Sequence, residues 1–376
     1  AQDLTVDNIN TTSINSGQAS GRKNLIINGA MQVAQRGTTN TNEGYRTVDR
    51  FRNAFNGTDE APTQEQADVA AGTTPYTLGF RKSYKLTNGN QTGGAGATDY
   101  LGFEHHIEAQ NVATSGWNFK SASSKLTLSF WIKSSVAQAF SGSIEIPDSS
   151  PARFFKFTTA SLSADTWTKV TLQIPGDSNL NVDMNTSSGL AIRLYGFIGT
   201  TYSSSDSDTE TWVTGSNRYA NTMTTTWYTT NDATLEVTGY QLEVGSTATD
   251  FEHRSFGEEL ALCQRYYYRH AFGAAGRNIG IAAVYQDNNI FPVVHFPCTM
   301  RTTPSLDVSD SSGYFRVYAN GGSDGFDTFS SLWNTGDNAI GLNAYSNDGV
   351  SGMTAGHAAM VITDHASAHV SFSAEL

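Results

Sequence analysis

Residues 125–135 read KLTLSFWIKSS, and Leu126, Leu128, Phe130 and Ile132 fall on alternate positions. A period of two is the spacing of a strand that buries one face and turns the other to solvent. The pattern recurs along the chain. Val170, Leu172 and Ile174 share a face in WTKVTLQIP, and Leu190, Ile192 and Leu194 share one in LAIRLYGFIG. ATLEVTGYQLEVG (233–245) is another such run, with Gly239 placed for a bulge. Clusters of Gly, Pro, Asn and Ser separate these runs, and TYSSSDSDTE (201–210) reads as a long loop. Short alternating strands with turn-rich connections predict an all-β fold. A jelly-roll β-sandwich is expected over 24–252 and a C-terminal β-sandwich domain over 271–376, where IGIAAVY, FPVVHF, YFRVYA and AAMVITDH continue the pattern.

Composition narrows the class. Only 15% of the 376 residues are charged, against about 25% in an average domain. Ser, Thr, Asn and Gly take the place of charge, and they are weak in helix interiors. A helical bundle and a coiled coil are therefore disfavoured. The net charge of −12 argues against a nucleic-acid-binding surface. No run of about 18 apolar residues is present, so no membrane insertion is expected. The opening AQDLTVDNIN shows neither a basic nor an apolar signal region. Cys263 and Cys298 are too few for a disulfide framework and are expected as buried thiols.

Two segments differ from the strands. In residues 1–23, Leu4, Val6, Ile9 and Ile14 are sparse among Thr, Asn and Asp. Such a segment cannot bury a core alone, so it is expected either as an oligomerisation and attachment arm or as a disordered tail. At 253–270 a linking helix is expected. Ser255 and Glu258 have capping-box spacing, Phe256, Leu260, Cys263 and Tyr267 share a helical face, and Arg265, Arg269 and His270 fall in the last turn.

Several strings resemble a known family. They are NLIINGAMQVAQRG (24–37), YRTVDRF (45–51), LSFWIKSS (128–135), QLEVGSTATDFEHRSFGEELALCQRYY (241–267) and PCTMRTTPSL (297–306). Together they resemble a module that recurs in tail fibres and receptor-binding proteins of tailed bacteriophages. The first block also resembles jelly-roll carbohydrate-binding modules, which open on N-L-x-x-N-G and close on a strand ending in L-E. The resemblance implies a homotrimeric virion protein, made in the host cytoplasm, whose distal part touches the host surface. The arm would then bury Leu4, Val6, Ile9 and Ile14 against its own copies or against another virion protein. The short arm with no shaft also fits a capsid-decorating or head-fibre protein. For the carbohydrate-binding modules the resemblance implies a structural calcium, and Glu243, Asp49 and Asp250 are the acids nearest the matching ends.

Sugar sites set aromatic faces against pyranose C–H groups and amides or charges against hydroxyls. Trp131 and Lys133 lie on the polar face of 125–135, and Arg193 and Tyr195 on that of 190–199. If these strands are neighbours, the four form a glycan platform; the alternative is an aromatic row buried against a second domain or subunit. Trp212, Trp227 and Tyr228, in polar loops, form a second candidate, and Trp333 a third in the C-terminal unit. For metals, Glu104, His106 and Glu108 would share a strand face in FEHHIE, and His365 and His369 lie together near the C-terminus. These are weak ligand sets, and no cofactor is expected. No H-E-x-x-H or phosphate-loop motif is present, and GGSDG (321–325), which has G-x-S-x-G spacing, lies between strand-like runs and not at the strand-to-helix turn of a nucleophile elbow. A non-enzymatic glycan-binding protein is therefore expected, with a polysaccharide depolymerase as the alternative.

Overall fold

The alternation at 125–135 is realised in a computed structural model of the chain. Leu126, Leu128, Phe130 and Ile132 are fully buried on the inner side of the strand Lys125–Ser134. The structure describes residues 13–14, 17–18, 23–205, 208–215, 219–286, 289–345, 350 and 353–376. The chain divides into two compact units, residues 1–255 and 256–376, each with a hydrophobic core of its own.

The first unit is a jelly-roll sandwich of two six-stranded sheets. From edge to edge, one sheet runs Trp212–Val213, Arg153–Thr158, Ser141–Ile146, Ser188–Ile198, Tyr100–Glu108 and Phe51–Asn56. The other runs Thr168–Pro175, Lys125–Ser134, Thr234–Val244, Lys82–Thr87, Thr63–Asp68 and Thr39–Asn40. Neighbouring strands are antiparallel, and most are distant in sequence because the chain passes back and forth between the sheets. The inner faces meet in an aromatic core, where Phe130 stacks on Tyr240 with ring centroids 4.5 Å apart. Phe51, Phe103 and Tyr84 pack around them. Burying each such side chain contributes roughly 1.5–3 kcal/mol. Gly239 forms the expected bulge: the register shifts between Thr238 and Gln241, and φ at Gly239 is +65°.

The NLIING string has a structural explanation. The Asn24 side chain donates to the Tyr240 carbonyl at 3.0 Å and accepts from the amides of Ile26 and Leu242. Asn28, at φ +62°, closes a turn by bonding the Val33 amide and the Val33 and Asp49 carbonyls. Glu243 is buried and accepts from the amide and hydroxyl of Thr249. Among the described residues, no group of three or more His, Cys, Asp or Glu could hold a metal ion. Of the arm residues, Leu4, Val6 and Ile9 lie outside the described residues; Ile14 belongs to the two-residue strand Ser13–Ile14, its side chain likewise outside them.

The helix expected over 253–270 is shorter, running Phe256–Gln264. Tyr267–Phe272 is instead a strand paired with His369–Ser373. The run of tyrosines prefers a pleated surface, and the available partner strand overrides the helical spacing. The buried helix positions are Glu259 and Cys263, whereas Phe256 is exposed. Cys263 is a buried thiol and Cys298 a half-buried one.

The second unit packs a three-stranded sheet (Tyr267–Phe272, His369–Ser373, Ser305–Val308) with a seven-stranded one. The latter runs Gly322–Phe326, Phe315–Ala319, Ala358–Thr363, Asn278–Gln286, Asn289–His295, Ala339–Tyr345 and Thr328–Thr335. Its two edge strands are separated in sequence by Asp327 alone. The sheet therefore curls until Phe315, Phe326 and Phe329 cluster, with centroids 4.9–5.5 Å apart.

Candidate functional site

The outer face of the first unit's first sheet carries a row of charged groups. Register sets Arg52 opposite Glu104 and Glu104 opposite Arg193, on three adjacent strands. Alternation along Tyr100–Glu108 adds Tyr100 and His106 to the same face, and alternation along Ser188–Ile198 adds Tyr195. Tyr195 lies against Gly102, its register partner. A Cβ there would stand 2.7 Å from the tyrosine ring and 2.5 Å from the Leu194 carbonyl oxygen. The segment after Ile198 then crosses the sheet and places Tyr202 and Tyr219 above this row. Together these groups line a pocket of about 280 Å³, near the lower end of small-ligand sites at roughly 300–1,000 Å³.

Fixed charges form its floor. Glu104 accepts from Arg193 Nε at 3.2 Å, Arg52 Nη1 at 3.4 Å and His106 Nε2 at 3.0 Å. Arg193 also pairs with Glu145, Arg52 with Glu43 at 3.1 Å, and His106 Nδ1 lies 2.8 Å from the Ser188 hydroxyl. Burial alone would raise the Glu104 pKa. The His106 hydrogen bond and the charges of Arg193, His106 and Arg52 outweigh it and hold the carboxyl at about 2. Burial pushes Tyr195 far above the usual phenol range, so its hydroxyl stays protonated. Each arginine is shared by two carboxylates, which leaves no cationic excess for an anion.

Aromatic rings form the walls. Tyr100 and Tyr202 meet edge to face at 5.5 Å, Tyr202 and Tyr219 at 6.4 Å, and Tyr219 packs on Phe154 at 5.1 Å. The Arg193 guanidinium lies over the Tyr219 ring at 5.2 Å. The crossing segment is tied down by Lys156, which is fully buried and pairs with Asp208 at 2.6 Å while donating to the Ser204 hydroxyl and the Ser205 carbonyl. Asn221 adds bonds to Thr158 and Thr209.

The expected site residues separate into groups. Arg193 and Tyr195 line the pocket, and so do Glu104 and His106, which the sequence suggested only as metal ligands. Glu108 does not join them: it is fully buried and accepts from Gln110. Trp131 and Lys133 belong to the opposite sheet, so the expected four-residue platform does not exist. Trp131 packs around Phe80 and Val69, and Lys133 pairs with Glu236 at 2.8 Å and lies 5.1 Å from the Trp167 ring centre. Trp227 and Tyr228 are core residues with no exposed surface. Trp227 packs edge-on to Phe140 and Tyr228 stacks on Phe197 at 4.7 Å. Trp212 is half-buried in an edge strand, its indole donating to the Pro175 carbonyl. Trp333 lies in Thr328–Thr335, its side chain outside the described residues. His365 stacks on Tyr314 and His369 pairs with Asp307, so they are engaged separately. Arg52 and Tyr100 escaped the sequence reading, although FRNAFN and YLGFEHHIE both alternate and place them on the outer face.

No family model matches the chain, and no curated protein does. Several solved structures are similar to the chain. One is the enzymatically active domain of bacteriophage CBA120 tailspike protein 4, at 10% identity and TM-score 0.32, covering 59% of this chain and 21% of that one. The chain thus spans about a fifth of that structure. Another is the CBM22-1 xylan-binding domain of Xyn10C from Paenibacillus barcinonensis, at 11% identity and TM-score 0.29, covering 63% of this chain and 100% of that one. A third is the family 11 carbohydrate-binding module of Lic26A-Cel5E from Clostridium thermocellum, at 14% identity and TM-score 0.26, covering 58% and 98%. The fold assignment rests on the strand order and not on these likenesses.

Proposed function

We propose that this chain is a virion structural protein of a tailed bacteriophage, a tail-fibre or receptor-binding protein that attaches to the host surface by binding a neutral glycan and acts as a homotrimer. The observation that carries the binding role is the tyrosine-walled pocket over Arg52, Glu104, His106 and Arg193. Aromatic rings suit the apolar faces of sugars, and a fixed network of donors and acceptors suits their hydroxyls. The phage assignment rests on the strings around 24–51, 128–135, 241–267 and 297–306. Binding without cleavage fits the carboxylate best placed for chemistry. A glycosidase needs one acid kept protonated by a raised pKa and a second free carboxylate. Glu104 is held ionised, at about 2, and Glu145 is engaged by Arg193.

The test is binding of the purified chain to an array of bacterial surface polysaccharides, followed by titration calorimetry on the best ligand. Tyr219→Ala and Tyr202→Ala are each expected to weaken binding about tenfold, in line with loss of one aromatic contact. Circular dichroism should show that both variants keep the fold, with the melting temperature lowered by no more than a few degrees, roughly the effect of losing one aromatic contact. No glycan bound by the wild type, or full affinity in both variants, would overturn the reading. Release of reducing ends from a bound polysaccharide would convert it to the depolymerase alternative.

A further inference from the structure

The strand Asn278–Gln286 reads NIGIAAVYQ and is apolar on both faces. A strand of that kind is expected to be covered on both sides. Ile279, Ala282 and Val284 enter the core of the second unit, but Ile281 and Tyr285, on the other face, are 67% and 62% exposed. They belong to a larger surface. Register sets Tyr318 opposite Met360, and Met360 opposite Ile281, on three adjacent strands. In the next row Ala283 stands between Ala358 and Phe291, and Phe291 stacks on Tyr285 with centroids 5.0 Å apart. Val293, two residues on from Phe291 on the same face, is 51% exposed. The outcome is an apolar face across four strands of the curled sheet. The charged residue nearest to it along these strands, Arg316, is held at 2.7 Å by Asp364.

The size of this face suits association. At roughly 150–250 Å² per large side chain, the five exposed ones offer on the order of 500 Å². That is at the upper end of what monomers expose, roughly 300–600 Å². Ala283, Ala358 and Phe291 extend it toward the ~800 Å² that one partner contributes to a standard interface. The apolar, uncharged character of the face points to the occupant: contacts between identical subunits are more apolar than those of non-obligate partners, and two copies of a chain with net charge −12 can meet here without setting like charges opposite one another. We propose that the outer face of the seven-stranded sheet is the contact between copies of this chain, with Ile281, Tyr285, Val293, Tyr318 and Met360 at its centre. This deepens the reading of the chain as a homo-oligomer and rests on it.

The experiment is multi-angle light scattering of the full chain from sub-micromolar to about 100 μM. The wild type is compared with Met360→Lys and with the milder Ile281→Thr. The expected result is an oligomeric wild type, with Met360→Lys monomeric and Ile281→Thr dissociating at a concentration at least tenfold higher. Both side chains point outward, so circular dichroism and the melting curve of the isolated protomer should be retained; if Met360→Lys melts early, Ile281→Thr decides. A wild type that is monomeric throughout overturns both the homo-oligomer reading and this surface. An oligomeric wild type whose mass neither variant changes overturns the surface alone, and the face then serves a different partner.

Discussion

Glu104 shows how one side chain can be read for both stability and binding. Its carboxyl titrates near 2 in the fold against 4.5 ordinarily, so folding favours the ionised form. The stabilisation is complete above about pH 4.5 and is lost as pH falls toward 2. At about 1.4 kcal/mol per pKa unit its size is on the order of 3 kcal/mol. Glu104→Gln should therefore lower the unfolding free energy most near neutral pH, and the gap to wild type should close between pH 4.5 and 2 in urea titrations. A gap that does not vary with pH would show that the ion pairs are not its source. Trp227 offers the contrast. It is fully buried against Phe140 and donates from its indole to the Thr234 carbonyl. Trp227→Ala should cost roughly 3–5 kcal/mol in chemical denaturation. At a temperature where the variant remains folded, its glycan affinity should stay within about twofold of wild type.

Among the elements, the segment between Ile198 and Thr224 matters most to the site and was least legible. The strands on either side could be read directly, because alternation needs only local sequence and the sandwich rewards it. The segment itself is rich in Ser, Thr and Asp, and nothing in that composition distinguishes an aromatic that walls a pocket from one that enters the core. Tyr202 and Tyr219 do the first, while Trp227 and Tyr228, a few residues on, do the second. Likewise, the sequence assigned Trp131 and Arg193 correctly to polar strand faces but could not say that the faces belong to opposite sheets, since strand order is a long-range property. The anchor of the segment was also invisible. Lys156 looks like an ordinary strand lysine, yet it is fully buried beneath Ser204, Ser205 and Asp208. Removing one partner of a buried ion pair costs roughly 3–5 kcal/mol, and here the cost falls on the segment's attachment. Lys156→Met should therefore speed proteolytic cleavage within 199–223 and weaken glycan binding at least tenfold. Wild-type cleavage rates in that variant would show that other contacts hold the segment.

At the scale of the whole molecule, the pocket lies wholly in residues 1–255 and the apolar sheet face wholly in residues 256–376, units with separate cores. On the proposed reading, the recognition of one sugar falls to the first unit and the joining of copies to the second. The two contributions multiply. Linked sites that engage a surface together can gain a factor of 10²–10⁴ over one site with no new contact. Residues 24–255 produced alone should fold, because the residues of the sandwich core, Phe130 and Tyr240 among them, all lie within it, and should bind a soluble oligosaccharide within about twofold of the full chain. The same fragment should adhere to glycan-coated surfaces at least a hundredfold more weakly. Residues 256–376 alone should self-associate and bind no glycan. Calorimetry with soluble ligand separates the first quantity from the second, which surface plasmon resonance on immobilised polysaccharide reads. A first-unit fragment that adheres as strongly as the full chain would mean that a single pocket suffices, and joining copies would then need another purpose.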